Sequence, residues 1–227
     1  MINYSKRFIC FIGLLVISLG VFAQETMLLR QPTIANEEIV FVYANDLWKV
    51  PIKGGEAFRL TSNIGGETNP HFSPDGQFIA CTGQYDGNAD VYVVPSAGGE
   101  PKRLTFHPSS DNVTGWTPDG QVLFSSGRQS VPTKESKFYT VSLEGGHVEE
   151  LPIPRAVDGQ ISEDGRMIAY QQISFWDPEW RNYRGGQAKP IWIVDLKNYN
   201  LTETPQTDNE RHTSPAWHQG KVFFLSE

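Results

Sequence analysis

Apolar residues along this chain fall in short runs, not at helical spacing. Phe78-Ile79-Ala80, Val122-Leu123-Phe124 and Met167-Ile168-Ala169-Tyr170 are compact hydrophobic segments, each opening just past an Asp-Gly pair. A second kind of segment mixes an aromatic with β-branched residues: Leu47-Trp48-Lys49-Val50, Val91-Tyr92-Val93-Val94, Phe138-Tyr139-Thr140-Val141 and Ile191-Trp192-Ile193-Val194. Such side chains suit a pleated, half-buried surface. A third kind is more polar, as in Phe58-Arg59-Leu60-Thr61 and Lys102-Arg103-Leu104-Thr105. No stretch sustains a 3.6-residue period, so the pattern predicts strands throughout.

The corners between these segments repeat. Phe72 to Gly76 reads FSPDG, Trp116 to Gly120 reads WTPDG, and Ile161 to Gly165 reads ISEDG, with Asp75, Asp119 and Asp164 spaced by 44 and 45 residues. Proline presets φ, aspartate tolerates the bridge region and glycine takes positive φ, so each corner predicts a type I turn with a bulge closing a hairpin. Gly54-Gly55, Gly98-Gly99 and Gly145-Gly146 supply a second turn in each unit. Four antiparallel strands recurring at about 45 residues is the pattern of a β-propeller blade. Blade-like repeats are expected at about 32–61, 68–105, 113–152 and 158–205, with the first strand of another at 214–227. The expected fold is therefore all-β, a partial propeller of about four blades. Propellers close with four to eight blades, and an unfinished ring leaves sheet faces bare. The chain accordingly reads as the amino-terminal piece of a longer protein.

The first residues stand apart from this pattern. Lys6 and Arg7 precede an apolar run from Phe8 to Leu19, and Val21-Phe22-Ala23 offers small residues for cleavage before Gln24. That is the layout of a secretory signal peptide over 1–23, leaving 24–227 as the propeller region. An exported, periplasmic protein is expected, with no membrane attachment once the leader is cut. Of 19 basic residues two lie in the leader, so 17 face 26 acidic ones in the remainder, a net charge of −9. A charge of that sign argues against nucleic acid as a partner. Cys10 lies in the leader and Cys81 is left alone, so no intramolecular disulfide is available.

Several stretches go further than blade grammar. EEIVFVYANDLWKVPIKGGEAFRLTS, HFSPDGQFIACTGQYDGNADVYVVPSAGGEPKRLTFHP, GWTPDGQVLFSS and EWRNYRGG closely resemble the amino-terminal propeller of tricorn proteases, over about Leu29 to Glu227. The resemblance implies a six-bladed propeller at the front of a large serine peptidase that trims oligopeptides, with the catalytic residues in carboxyl-terminal domains. On that reading no residue of this chain is catalytic. Its partners are peptides, the downstream domains and, in the full-length form, further copies of itself. Two features depart from the family pattern: the third corner has Glu163 in place of proline, and the tricorn prototype is cytoplasmic whereas this chain carries a leader. A periplasmic TolB-like propeller acting as a protein-binding scaffold is the alternative, because S-P-D-G blades occur there too.

Candidate site residues come from the loops. Connections between second and third strands share one face and vary in length: Gln84–Asp90, Arg128–Lys137 and Ser174–Pro190. Lengthened loops on one face suit contact with a peptide or neighbouring domain. Trp180, Arg181, Tyr183 and Arg184 combine aromatics with guanidinium groups, the usual means of anchoring an interface or a carboxylate. Arg128 begins a loop on the same face and is a candidate receptor for a peptide carboxyl terminus. Asp86-Gly87-Asn88-Ala89-Asp90 imitates half of a calcium loop but lacks its later glycine and glutamate, and reads as a turn. The five histidines show no zinc-ligand spacing, and there is neither a G-x-S-x-G elbow nor a phosphate loop. No metal and no cofactor are expected.

Overall fold

A computed structural model describes residues 28–129, 135–174, 188–207 and 210–226. The predicted leader therefore lies outside the described residues, as do Trp180, Arg181, Tyr183 and Arg184. Four four-stranded antiparallel meanders follow one another. The first comprises Arg30–Ala35 (β1), Glu38–Tyr43 (β2), Asp46–Pro51 (β3) and Phe58–Arg59 (β4). The second comprises Glu67–Phe72 (β5), Phe78–Gly83 (β6), Asp90–Pro95 (β7) and Lys102–Arg103 (β8). Asp111–Trp116 (β9), Val122–Ser126 (β10), Lys137–Val141 (β11) and Val148–Glu150 (β12) make the third, and Asp158–Ile161 (β13), Met167–Gln171 (β14), Trp192–Asp195 (β15) and Leu201–Glu203 (β16) the fourth. A hairpin of His212–His218 (β17) and Lys221–Ser226 (β18) completes the described chain.

The fifth unit thus contributes two strands where the pattern predicts one. Its corner is a two-residue turn, with Gln219 at φ 50 and Gly220 at φ 70 inside the His218–Lys221 pair. Positive φ at both central positions defines the type I′ turn that matches strand twist. The first sheet uses the same device twice, at Asn36-Glu37 (φ 49 and 63) and at Ala44-Asn45 (φ 50 and 68). Its corners therefore escape the S-P-D-G pattern while doing the same job.

In the regular corners the hydroxyl and the aspartate hold the turn. Ser73 Oγ donates to Asp75 Oδ1 at 2.6 Å, and the Gln77 N–H donates to the same oxygen at 3.0 Å. Ser162 and Asp164 reproduce this at 2.5 Å, with the Arg166 N–H at 3.0 Å. The third corner keeps both residues, so proline is dispensable there. The Glu163 carboxylate that replaces it accepts the Gln219 N–H at 2.8 Å and the Gly220 N–H at 3.4 Å, binding one corner to the next.

Hydrophobic cores lie between the sheets. Ile79 and Cys81 pack with Val40, Val42 and Leu47 of the first sheet, while Ala80 between them packs with Val113, Trp116 and Phe124 of the third. One sheet further on, Phe124 belongs to the core shared with the second sheet, and its neighbour Leu123 to the core shared with Ile168 and Tyr170 of the fourth. Successive side chains of a strand point to opposite faces. A sheet covered on both faces therefore needs a continuous apolar run, and the run Phe78-Ile79-Ala80 has this cause. Cys81 is fully buried, and burial pushes its thiol well above the ordinary range, which makes it an inert core residue.

Candidate functional site: the polar axial channel

The first strands of successive units, β1, β5, β9, β13 and β17, touch one another in order. Each sheet thus stands with its first strand inward. These inner strands surround two connected chambers. One, of about 740 Å³ at the strand starts, is lined by Gln31, Asn69, Asn112, Asp158, Gln171 and Ser214 among others. The other, of about 630 Å³ toward the corners, is lined by Phe72, Pro74, Trp116, Pro118, Glu163 and Trp217. His71 and Gln160 line both, so the chambers are two parts of one channel.

The wider chamber is built by a repeated backbone device. Gln31, Asn69 and Ser214 have φ of 52, 52 and 53, and each precedes a proline: Pro32, Pro70 and Pro215. At these points β1, β5 and β17 shift register against their neighbours. An L-residue in the left-handed region costs about 1–2 kcal/mol, and a bulge re-aims the side chain it carries. Each of these residues lies three positions before the residue that leads into the corner: Ile34, Phe72 and Trp217. Val113 and Asp158 hold the equivalent places before Trp116 and Ile161. All five line the chamber, a ring of amide, amide, isopropyl, carboxylate and hydroxyl. Gln31 Nε2 donates to Asn69 Oδ1 at 2.6 Å, and the Asn69 N–H donates to Gln31 Oε1 at 3.0 Å, which locks the first two members together.

Asp158 reaches the ring without a bulge, in unbroken register opposite Gln171. Burial pushes its carboxyl up to about 6, against the opposing effect of the Gly159 N–H. No ion pair joins it to a described lysine or arginine. His71, at the junction of the chambers, is pushed down by burial to about 4 and is neutral at physiological pH. The larger chamber therefore offers neutral amides and hydroxyls and one partly desolvated carboxylate among its described lining residues. Groups of that kind pair with the N–H and C=O of an extended chain.

Arg128 stands in the turn just past β10, where the loop reading puts it, with its guanidinium turned inward. It is 8% exposed, its Nη2 lies 2.5 Å from Asp111 Oδ2, and its guanidinium sits 5.1 Å and 5.4 Å from the ring centres of Phe124 and Tyr139. Tyr139 Oη donates to its carbonyl at 2.8 Å. The guanidinium is engaged inside its own sheet and is not presented to a peptide carboxylate. The calcium-like segment is also internally satisfied, since Arg103 reaches Asp86 at 3.1 Å and Asp90 at 2.7 Å. Among the described residues no group of three or more His, Cys, Asp or Glu is placed to hold a metal ion. Nor is any helix among them long and apolar enough to cross a membrane.

The channel residues were missed by loop-length reasoning, although a signal was present. Gln31-Pro32, Asn69-Pro70 and Ser214-Pro215 recur at one fixed distance before the corner. Proline constrains both its own φ and the residue before it, so a repeated X-Pro inside a strand marks a bulge.

Radial antiparallel sheets, each with its first strand on an axial channel, define this protein as a β-propeller. The chain belongs to the family described as the tricorn protease N-terminal beta propeller domain, whose profile matches residues 26–227. It is 31% identical over 176 residues to the tricorn protease of Thermoplasma acidophilum, covering 73% of this chain and 16% of that one. It is 30% identical over 204 residues to tricorn protease homolog 1 of Streptomyces coelicolor, covering 88% and 19%. The chain thus spans less than a fifth of the length of these relatives. The crystal structure of the tricorn protease superposes with a TM-score of 0.74 at 27% identity, over 87% of this chain and 20% of that one. TolB from Agrobacterium tumefaciens gives 0.70 at 22% identity, over 88% and 70%, a likeness of fold.

Proposed function

We propose that this chain is the non-catalytic, peptide-handling propeller of an exported serine peptidase that degrades oligopeptides. Its channel holds extended peptides on their way to or from a peptidase centre carried by other domains of the same protein. The observation that carries this reading is the ring of Gln31, Asn69, Asp158 and Ser214, three of them held in the left-handed region at equivalent bulges. Backbone strain repeated at one level of a channel is characteristic of a functional site. Membership of the tricorn propeller family supplies the peptidase context.

The partners that follow are peptides, the downstream domains and, in the complete protein, further copies. The test compares the purified chain with the product of its whole reading frame on fluorogenic oligopeptides. Hydrolysis by the larger protein and none by the chain alone is expected. Cleavage by the chain alone, lost on no treatment that removes contaminants, would overturn the non-catalytic assignment. Amino-terminal sequencing of exported protein checks the leader, with Gln24 expected as the first residue.

A further inference from the structure

We propose that Asp158 is a receptor for a primary ammonium group inside the channel, the free amino terminus of a peptide or a lysine side chain. This rests on the peptide-handling reading above and names what the channel selects.

Equivalent positions accept an amide at Gln31 and Asn69, an isopropyl at Val113 and a hydroxyl at Ser214, so the architecture does not demand a carboxylate. Asp158 is the ionisable member of the ring. It lines the 740 Å³ chamber and has no ion pair with a described lysine or arginine. The other titratable group of the chamber, His71, is neutral and supplies no countercharge. Burial already penalises the ionised carboxyl, and a cation entering the chamber relieves that penalty.

The surroundings favour a compact, multidirectional donor. Gln171, opposite Asp158 in register, donates Nε2 to the Ile173 carbonyl at 2.6 Å, which leaves Oε1 as its acceptor atom. The carboxylate and this amide oxygen together suit the divergent N–H bonds of an ammonium. A charge-assisted bond of this kind in a partly desolvated chamber discriminates about tenfold or more against a neutral amide.

Four probes test this on the purified chain: Ala-Ala-Ala-amide, its N-acetyl derivative, N-acetyl-Ala-Lys-Ala-amide and propylammonium. Dissociation constants come from calorimetry, and the Asp158 side-chain carboxyl resonance is followed by NMR. The free tripeptide or the lysine peptide is expected to bind about tenfold tighter than the acetylated tripeptide, and whichever does so identifies the source of the ammonium. Asp158→Asn, which keeps shape and removes charge, should level all three. Equal binding of all three peptides by the native chain, or discrimination that survives D158N, overturns the ammonium site. Should propylammonium shift the Asp158 resonance while no peptide binds, the ammonium site stands and the peptide reading fails. If no ammonium compound shifts that resonance, the site is overturned whatever the peptides do.

Discussion

Lys137 Nζ lies 2.7 Å from Glu150 Oε1, in the places where the second sheet has Asp90 and Arg103, also 2.7 Å apart. The first sheet repeats the second, with Asp46 and Arg59 at 2.8 Å. In every case one partner opens the third strand and the other stands opposite the aromatic two residues on: Trp48, Tyr92 or Tyr139. The third sheet has therefore exchanged the signs and kept the bridge. The fourth has Glu203 opposite Trp192 but Pro190 in place of the acid or lysine.

Burial separates these pairs energetically. The Asp90 side chain is 1% exposed, and burial raises its carboxyl in spite of Arg103. Removing Arg103 leaves a buried charge without its counterion, so Arg103→Ala should cost about 3 kcal/mol in urea unfolding. Glu150→Ala removes half of a solvent-screened pair and should cost less than about 1 kcal/mol. The double exchange Lys137→Asp/Glu150→Arg should leave the chain within about 1 kcal/mol of the original.

Arg128→Met should cost about 3–5 kcal/mol, because Asp111 is fully buried and would lose its cation. Adding Asp111→Asn should recover part of that loss. Peptide affinity of the folded fraction should be unchanged in either variant, which a carboxylate receptor at Arg128 would not allow.

The corners predict an acid limit. Hydrogen bonds from Ser73, Thr117 and Ser162 hold Asp75, Asp119 and Asp164 below the ordinary carboxyl range. A depressed folded-state value stabilises above the unfolded value near 4 and is lost as pH falls through the folded one. Ser73→Ala and Ser162→Ala should each move the midpoint of acid unfolding, followed by circular dichroism, to higher pH.

Asp158 works in the opposite sense. Its folded-state value of about 6 exceeds the unfolded value, so the native chain binds the extra proton between the two. Stability then declines as pH rises from about 4 through 6 and stays lower above. Asp158→Asn should raise the melting temperature by a few degrees at pH 7.5 and leave it unchanged at pH 4.

Gly159 tests the packing beside it. A Cβ there would stand 2.7 Å from the Ala169 carbonyl oxygen and 2.7 Å from Tyr170 Cβ. Both neighbours are held by the β13–β14 register, so Gly159→Ala should cost about 1–3 kcal/mol in denaturant unfolding.

The blades were legible because their determinants are local. An apolar run, an aromatic strand and a corner with serine or threonine before Asp-Gly sit within one 45-residue window, and strand period and turn chemistry agree. The corners at Asn36-Glu37, Ala44-Asn45 and Gln219-Gly220 were less legible, since each pairs one residue suited to positive φ (Asn36, Asn45 or Gly220) with one that is not (Glu37, Ala44 or Gln219). Arg128 is a loop residue, but the inward engagement of its guanidinium was hidden because its partner Asp111 is 17 positions away, at the start of β9. The ring around the channel was the least legible part. Its members are 38 to 56 positions apart, and only the fold brings them to one level.

Because Ile79 and Ala80, or Leu123 and Phe124, serve different neighbours, the second and third sheets are party walls shared by the rooms on either side. Energy in such a row passes from each sheet to the next and no farther, so opening should begin where a sheet has one neighbour and advance inward. In hydrogen exchange the β6 and β10 amides should be the last to give way. The channel's shape is then guarded most strictly in the middle of the row, where Val113 and the paired strands beside it sit.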